Sequence, residues 1–272
     1  MSKLTDVSSH YEFGLNWKGF EAQLSDAAVE RAVTAFGRLF EAEEVAGKRV
    51  LDIGCGSGLH SLAALRLGAA SVTAIDIDEN SVETARRLLG RLAPGGPWTV
   101  ERRSVFDSGD MPRFDIVYSW GVLHHSGDMT RAIGMAADRV APDGLFCLAL
   151  YRKTPLCWLW RIEKRLYTKA PPWLRRVIEA AYIAVFRLRF LATGRRFRPY
   201  VESYESNRGM DWMTDVRDWL GGYPYGSVSE AEMLQIADKH GFLPIRRFCE
   251  KPGLGLLGSG CDEYIFRRAV SM

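Results

Sequence analysis

Short apolar runs alternate with stretches of helical periodicity along the middle of the chain. The runs with the length and composition of strands occupy 49–53, 71–77, 98–105, 114–120 and 145–151. Between them, apolar residues at helical spacing occupy 59–67, 79–92 and 128–141. Strands and helices that alternate in this way form a parallel sheet covered by helices on both faces, with right-handed crossovers. The pattern therefore predicts an α/β fold.

Composition and pattern divide the chain into four segments: 1–45, 46–151, 152–228 and 229–272. The first combines an aromatic arm, HYEFGLNWKGF, with an amphipathic helix predicted over 25–43. The second is the α/β core, and the third is a basic segment with helical periodicity at 156–167 and 173–191.

The last segment begins with a helix signal. Ser229 and Glu232 have the spacing of a capping box, and Gly241 follows the helix. Two predicted strands, 243–250 and 262–268, flank a glycine-rich loop. We expect this helix and strand pair to complete the sheet.

Overall composition is that of a globular protein. The chain has 272 residues, of which 47% are hydrophobic, and its five cysteines are scattered with no C-x-x-C pair. Neither a disulfide framework nor a zinc site is indicated. The start, MSKLTDVSSH, has no apolar leader, and no apolar run is long enough to span a bilayer. We therefore expect a cytoplasmic protein, with peripheral contact at the inner membrane face as an alternative.

The most informative motif is VLDIGCGSG, from Val50 to Gly58. Its glycines are spaced G-x-G-x-G, and Leu59 stands where the dinucleotide fingerprint G-x-G-x-x-G requires glycine. A dehydrogenase is therefore disfavoured. Glycines let the chain turn sharply and let a ligand approach the main chain. In open α/β sheets, ligands bind at this carboxyl-terminal edge of the strands.

Acidic residues follow the next two strands. Asp76 ends the second strand, where a carboxylate can accept hydrogen bonds from a ribose diol. Asp107 follows the third strand, where it can hold an adenine amino group with Phe106 against the ring. The two acids and the glycine loop together predict a nucleoside-containing ligand.

The motifs VLDIGCGSG, AIDID, SVFD and FDIVYSWGVLHH together resemble those of class I S-adenosylmethionine-dependent methyltransferases. The similarity is closest to the small-molecule group of ubiquinone and menaquinone pathway enzymes. It covers about 47–151, and 229–268 more loosely. The resemblance implies a Rossmann-like, seven-stranded sheet, mostly parallel with an antiparallel last strand, and a helical insertion or lid after strand five. It also implies S-adenosylmethionine as cofactor, S-adenosylhomocysteine as product, and cofactor contacts at Asp52, Gly54, Gly56, Gly58, Asp76 and Asp107. Four further residues in or beside these motifs are candidate cofactor-binding residues: Cys55, Ile77, Phe106 and Trp120.

Two adjacent histidines follow strand four. His124 and His125 are candidate general bases, because a hydroxyl or ammonium acceptor must lose a proton and imidazole titrates near neutral pH. Loop packing is the competing interpretation, and a metal site is disfavoured because no third ligand has suitable spacing. Trp120 is expected to lie beside the transferred methyl group. The sequence SWGV replaces the Asn/Asp-Pro-Pro-aromatic motif of enzymes that methylate nucleic-acid bases, which argues against that reaction.

The basic insertion leaves three interpretations open. From 151 to 200 there are thirteen Lys and Arg residues but two acidic ones, although the whole chain carries only +3. Such a segment suits a packed lid or a dimer interface, a membrane-surface element, or a nucleic-acid surface. The oligomeric state stays open. Aromatic and charged residues in and beyond the insertion, and in the arm, are predicted to bind the acceptor: Tyr11, Trp17, Arg208, Trp212, Trp219, Tyr223 and Tyr225.

These features predict an S-adenosylmethionine-dependent methyltransferase that acts on a small molecule, with oxygen favoured as the acceptor atom. An RNA methyltransferase that uses the basic insertion is one alternative. A lipid-linked, quinone-type acceptor methylated at the membrane surface is another. A cofactor-binding protein without catalysis is the alternative outside enzymes.

Overall fold

The computed structural model describes residues 26–204, 212–256 and 258–269. Three of the predicted acceptor-binding residues, Tyr11, Trp17 and Arg208, lie outside these ranges. The strands are β1 Arg49–Ile53, β2 Ser71–Asp76, β3 Trp98–Arg102, β4 Phe114–Trp120, β5 Val140–Tyr151, β6 Phe242–Phe248 and β7 Cys261–Arg268.

These strands form one seven-stranded sheet in the order β3-β2-β1-β4-β5-β7-β6. Pairings from β3 across to β5 are parallel, whereas β7 is antiparallel to both of its neighbours. The predicted fold class, mostly parallel with an antiparallel last strand, is confirmed. The order reverses direction at β1 and β4, which places a crevice at the carboxyl-terminal ends of these two strands.

Helices cover both faces of the sheet. In the core and C-terminal part they are α1 Asp26–Gly37, α2 Ala42–Val45, α3 Leu59–Arg66, α4 Glu79–Leu92, α5 Met129–Ala137 and α10 Glu230–Lys239. Those of the insertion are α6 Cys157–Lys169, α7 Pro172–Ala192, α8 Phe197–Glu202 and α9 Trp212–Gly221. Within the described residues, no helix combines the length and apolarity needed to cross a membrane.

The central strand β1 is buried on both faces, which explains its continuous apolar run. Val50 belongs to a cluster with Phe36 and Tyr118 on one face. Leu51 belongs to a cluster with Phe146 on the other. The carboxyl-terminal edge of the sheet is therefore held between two packed layers.

The prediction of a single helix over 25–43 was wrong in one respect, because the helical conformation is interrupted between α1 and α2. Leu39 and Phe40 turn inward and are almost fully buried. Glu41 then starts the new helix, because its side chain and that of Glu44 form a reciprocal capping box. Apolar spacing alone did not reveal this second start.

The insertion has a hydrophobic cluster of its own. Tyr167, Tyr182, Tyr204, Trp212 and Leu220 are buried together where α6, α7 and α9 meet. A helical insertion after strand five was predicted, and the structure has one. The four segment boundaries drawn from composition stay predictions.

The chain returns from the insertion across the ends of β4 and β5. The Gly226 amide donates to the His124 carbonyl at 2.7 Å, and the Val228 amide donates to the Tyr151 carbonyl at 3.0 Å. The insertion is thereby anchored beside the crevice in which the candidate site lies.

Candidate active site

The glycine loop after β1 requires its glycines for conformation and for space. Gly54, Gly56 and Gly58 have φ angles of 73°, 54° and 79°, in the left-handed region that L side chains rarely adopt. A Cβ on Gly54 would lie 2.3 Å from Cγ1 of Val122, which lies in the loop after β4. The two loops that border the crevice therefore pack directly against each other.

Asp76 connects this loop to the end of β2. Its carboxylate accepts hydrogen bonds from the amides of Gly56 at 3.0 Å and Asp78 at 2.9 Å. Burial raises the pKa of Asp76 to about 6 in spite of these donors. Each oxygen keeps a lone pair after these bonds, so the side chain can still accept hydrogen bonds from a ligand.

Asp52 lies beneath the same loop and is almost fully buried. The Ser61 hydroxyl at the start of α3 donates to it at 2.6 Å. Burial raises the pKa of Asp52 to about 7, and the neighbouring Asp76 adds to the rise. The predicted carboxylates of β1 and β2 thus lie at one edge, and burial raises the pKa of each.

The remaining predicted cofactor residues differ in burial and in their contacts. Cys55 is buried, its amide donates to the Ile75 carbonyl at 3.1 Å, and burial raises the pKa of its thiol. Phe106 is buried with the guanidinium of Arg131 at 5.1 Å from its ring centroid, whereas Asp107 is exposed. Ile77 is half-buried.

Trp120 lies at the end of β4 and is 41% exposed. Its indole N–H donates to the Glu263 carboxylate at 2.8 Å, and Arg38 also reaches that carboxylate at 2.5 Å. The ring thus lies across the edge of the sheet, where the register places Trp120, Ala149 and Glu263 on neighbouring strands.

His125 has a defined hydrogen-bond partner on one nitrogen. Its Nδ1 lies 2.8 Å from the main-chain carbonyl oxygen of Pro224. A carbonyl can only accept, so Nδ1 carries the hydrogen in the neutral ring and the lone pair is on Nε2. The half-buried imidazole thus has the tautomer that a general base acting through Nε2 needs.

His124 has the opposite arrangement. It is 2% exposed, and its Nδ1 accepts the Tyr151 amide at 3.3 Å, so Nε2 carries the hydrogen. No acceptor for that Nε2 is present among the described residues. Burial lowers the pKa of His124 well below its usual value, and His125 and Lys164 lower it further. His124 is therefore neutral and packed, with its ring 3.9 Å from that of Tyr151.

A buried lysine on this side of the crevice was not predicted from the sequence. Lys164 is 4% exposed, donates to the Trp219 carbonyl, and lies 5.6 Å from the ring centroids of Trp160 and Tyr225. Burial lowers its pKa to about 8. The sequence pattern could have predicted this burial, because Trp160, Lys164 and Tyr167 have helical spacing and the lysine interrupts an apolar stripe.

The predicted acceptor residues that the structure describes do not all reach the crevice. Trp212 lies inside the cluster of the insertion, 5% exposed. Trp219 packs against the edge of that cluster. Tyr225 is buried, and its hydroxyl hydrogen-bonds with Cys157 Sγ and Ser259 Oγ, each at 3.2 Å. Tyr223 is half-buried and precedes Pro224.

The side chains that the structure describes do not indicate a metal site. Across 26–204, 212–256 and 258–269, no group of three or more His, Cys, Asp or Glu residues could hold a metal ion.

The strand order, with β7 running against its neighbours, is that of the Rossmann-like methyltransferases. An N-methyltransferase from Bradyrhizobium japonicum in complex with S-adenosylhomocysteine has a TM-score of 0.54 at 15% identity, covering 94% of this chain and 98% of that one. The magnesium protoporphyrin IX methyltransferase of Synechocystis with bound S-adenosylhomocysteine has a TM-score of 0.53 at 17% identity, covering 89% and 84%. At such identities the likeness shows the fold.

Sequence comparison gives the family. A family model described as a methyltransferase domain matches residues 25–197. The chain belongs to this family, and within it to the class I S-adenosylmethionine-dependent methyltransferases. That confirms the resemblance seen in the motifs.

Two curated relatives each match less than half of the chain. The ubiquinone biosynthesis O-methyltransferase of Neisseria meningitidis serogroup C is 35% identical over 126 residues, which are 46% of this chain and 52% of that protein. The protein of the same name from Xanthomonas euvesicatoria is 40% identical over 114 residues, 41% and 46% respectively. The chain thus spans about half the length of the curated relatives it matches.

The residues at the crevice fit the family's cofactor. A ribose diol needs two neighbouring acceptors, and the half-buried Asp76 carboxylate has lone pairs on both oxygens. Gly56 and Gly58 leave the main chain of the loop uncovered by side chains on the same edge.

Proposed function

We propose that this chain transfers a methyl group from S-adenosylmethionine to a hydroxyl oxygen of a small-molecule acceptor. The curated relatives, which are named as O-methyltransferases, support the reaction type. The observation that carries the proposal is the 2.8 Å contact between Nδ1 of His125 and the Pro224 carbonyl oxygen, because a hydroxyl acceptor must lose a proton and this contact leaves the lone pair of the neutral ring on Nε2.

The cofactor half of the site comprises the residues at the ends of β1 to β4. When bound, S-adenosylmethionine supplies an electrophilic methyl group on a sulfonium. Asp76 holds the ribose hydroxyls, and the loop from Gly54 to Gly58 holds the methionine end. The exposed Asp107 carboxylate holds the adenine amino group. Their contribution is orientation and exclusion of water, since the donor is already activated.

The acceptor half lies between the histidine turn and the returning insertion. His125 takes the hydroxyl proton on Nε2 as the oxygen becomes the nucleophile. Tyr223, half-buried beside Pro224, is the predicted aromatic residue best placed to contact the acceptor. Trp212 supports the insertion instead, because it lies inside the aromatic cluster.

The test measures turnover and cofactor binding separately. The chain is incubated with S-adenosylmethionine and a panel of phenols and alcohols, and mass spectrometry detects the methylated product. We expect His125→Ala to lose turnover by about 100-fold or more while the S-adenosylhomocysteine-induced rise in Tm is kept. His240→Ala, at the C-terminal cap of α10, is the matched control. Full turnover in His125→Ala refutes the proposed base.

We also propose that the insertion contacts an anionic membrane surface. On α7, Trp173, Val177, Leu188 and Leu191 recur at helical spacing and are each more than half exposed. On α6, Trp158, Ile162 and Leu166 also recur at helical spacing and are exposed, Ile162 by 49%. An exposed apolar stripe in a strongly basic segment has the chemistry of helices that lie in the headgroup region.

Vesicle flotation distinguishes a membrane-binding insertion from a packed lid, a dimer interface or a nucleic-acid surface. We expect the chain to float with phosphatidylglycerol vesicles but not with phosphatidylcholine vesicles, and to be released by high salt. The double variant Leu188→Glu with Leu191→Glu should not float with the vesicles and should stay at the bottom of the density gradient. Leu243→Glu is the control, because Leu243 is also more than half exposed but lies on β6. Flotation of the double variant, or salt-sensitive binding to RNA in place of vesicles, contradicts the proposal.

A further inference from the structure

The candidate base lies on the core but is held by the insertion. His125 ends the short 3-10 turn Leu123–His125 that follows β4, and its own amide donates to the Val122 carbonyl at 2.8 Å. The partner of its side chain, however, is the carbonyl of Pro224, three residues beyond the end of α9. The backbone of His125 therefore belongs to the core, whereas the hydrogen-bond partner of its ring belongs to the insertion.

A glycine in the same segment makes the contact sterically possible. A Cβ on Gly222 would lie 2.5 Å from Cε1 of His125 and 3.3 Å from each ring nitrogen. The φ angle of Gly222 is outside the left-handed region, so backbone conformation does not explain a glycine there. The close approach of the imidazole does.

The position of the Pro224 carbonyl is itself determined by contacts within the insertion and with the turn. The Thr168 hydroxyl of α6 donates to the Gly221 carbonyl at 2.8 Å. Beyond Pro224, the Gly226 amide donates to the His124 carbonyl at 2.7 Å. The segment is thus tied to α6 before Pro224 and to the histidine turn after it.

We propose that the segment 222–226 of the insertion is the positioning device for His125, in which the Pro224 carbonyl keeps the proton on Nδ1 and Gly222 admits the ring. The competent base then exists only when the insertion is seated on the core. This inference rests on the proposed function, because it takes His125 as the base.

The proton and bond changes balance as follows. The acceptor O–H proton passes to Nε2 of His125, a C–O bond forms, and the S–CH3 bond breaks to leave a thioether. The ring is then an imidazolium with hydrogens on both nitrogens, and its Nδ1–H donates a charge-assisted bond to the Pro224 carbonyl. Loss of the Nε2 proton to solvent restores the same tautomer, because the carbonyl keeps the other hydrogen in place.

The first test observes the tautomer directly and needs no acceptor. The chain has only five histidines, so two-bond 1H–15N correlation spectra of 15N-histidine-labelled protein can be assigned by substitution, with His125→Asn identifying this ring. We expect neutral His125 to carry its hydrogen on Nδ1. The opposite tautomer, or a mixture of both, in the wild-type chain overturns the inference.

The second test disturbs the positioning group. We expect Gly222→Ala to mix the His125 tautomers, lower kcat about tenfold or more, and shift the pH profile of kcat/KM, with the S-adenosylhomocysteine-induced rise in Tm unchanged. Gly253→Ala is the matched control, since nothing lies within 4 Å of the added Cβ. Thr168→Val, which removes the tie at Gly221, is a second variant and should act in the same direction.

The two proposals fail in different ways. If His125→Ala keeps full turnover, the base assignment fails whatever the tautomer. If His125→Ala is inactive but Gly222→Ala and Thr168→Val keep both the wild-type tautomer and the wild-type pH profile, the positioning inference is refuted and the base assignment stands.

Discussion

S-adenosylhomocysteine should bind more tightly as the pH rises from about 5 to about 8, because carboxyl groups in the crevice must first lose protons. In the cofactor-free chain, burial raises the pKa of Asp76 to about 6 and that of Asp52 to about 7. Ionised Asp76 accepts hydrogen bonds from both hydroxyls of a ribose diol, whereas the neutral acid loses an acceptor. Binding therefore favours the ionised form and releases protons.

The size of the effect follows from those pKa values. With a pKa of about 6 for Asp76, about one-tenth of the sites are ionised at pH 5, so the affinity should fall about tenfold there relative to pH 8. If Asp52 must ionise too, log Kd changes by about two per pH unit below pH 6 instead of about one. His60 stays neutral over this range, because burial lowers its pKa to about 4.

Isothermal titration calorimetry in buffers of different ionisation enthalpy measures both the Kd and the number of protons released. We expect Asp76→Asn to bind about 10- to 100-fold more weakly at pH 8, because a charge-assisted acceptor is lost, and to show a flatter pH dependence. Asp238→Asn, on the exposed face of α10, is the control. A Kd that is constant from pH 5 to pH 8, or an Asp76→Asn variant that keeps wild-type affinity and slope, would refute the reasoning.

Three stability predictions can be checked by urea unfolding of purified variants. Gly54→Ala should cost about 2 kcal/mol more than Gly47→Ala, because both have a φ of 73° but only the first meets a neighbouring side chain; equal losses would mean that the clash relaxes. Asp262→Ala removes the buried carboxylate partner of the Arg152 guanidinium, leaves that guanidinium paired only with the exposed Glu250, and should cost about 3 kcal/mol, whereas Glu250→Ala should cost at most about 1 kcal/mol. Ser229→Ala removes the capping box of α10 and should cost about 1 kcal/mol, and an unchanged unfolding midpoint would refute that role.

Most of the fold was predictable because its signals are local. β1 and α4 were predicted with the bounds that they have, since a buried strand is a continuous apolar run and an amphipathic helix has a clear period. Ser229 starts its helix as expected, because a cap acts within three residues. The break between α1 and α2 was missed, since the inward turn of Leu39 and Phe40 depends on the sheet beneath them.

The candidate site was only partly predictable. The spacing of Asp52, the loop glycines and Asp76 predicted a cofactor half, and their placement at one edge follows from the parallel strand order. The acceptor half was predicted as a set of aromatic residues, of which Trp212 lies in the interior of the insertion. Lys164 was not predicted at all, because its burial depends on how α6 and α9 pack.

By itself, the sequence determined the alternation of strands and helices, the glycine loop and its acids, and the presence of two histidines after β4. Only the tertiary structure distinguished those histidines. His125 meets a carbonyl that is 99 residues away in the chain, whereas His124 accepts an amide from the end of β5. The proton of an imidazole goes to the nitrogen that faces an acceptor, and the facing group is set by packing between segments distant in sequence.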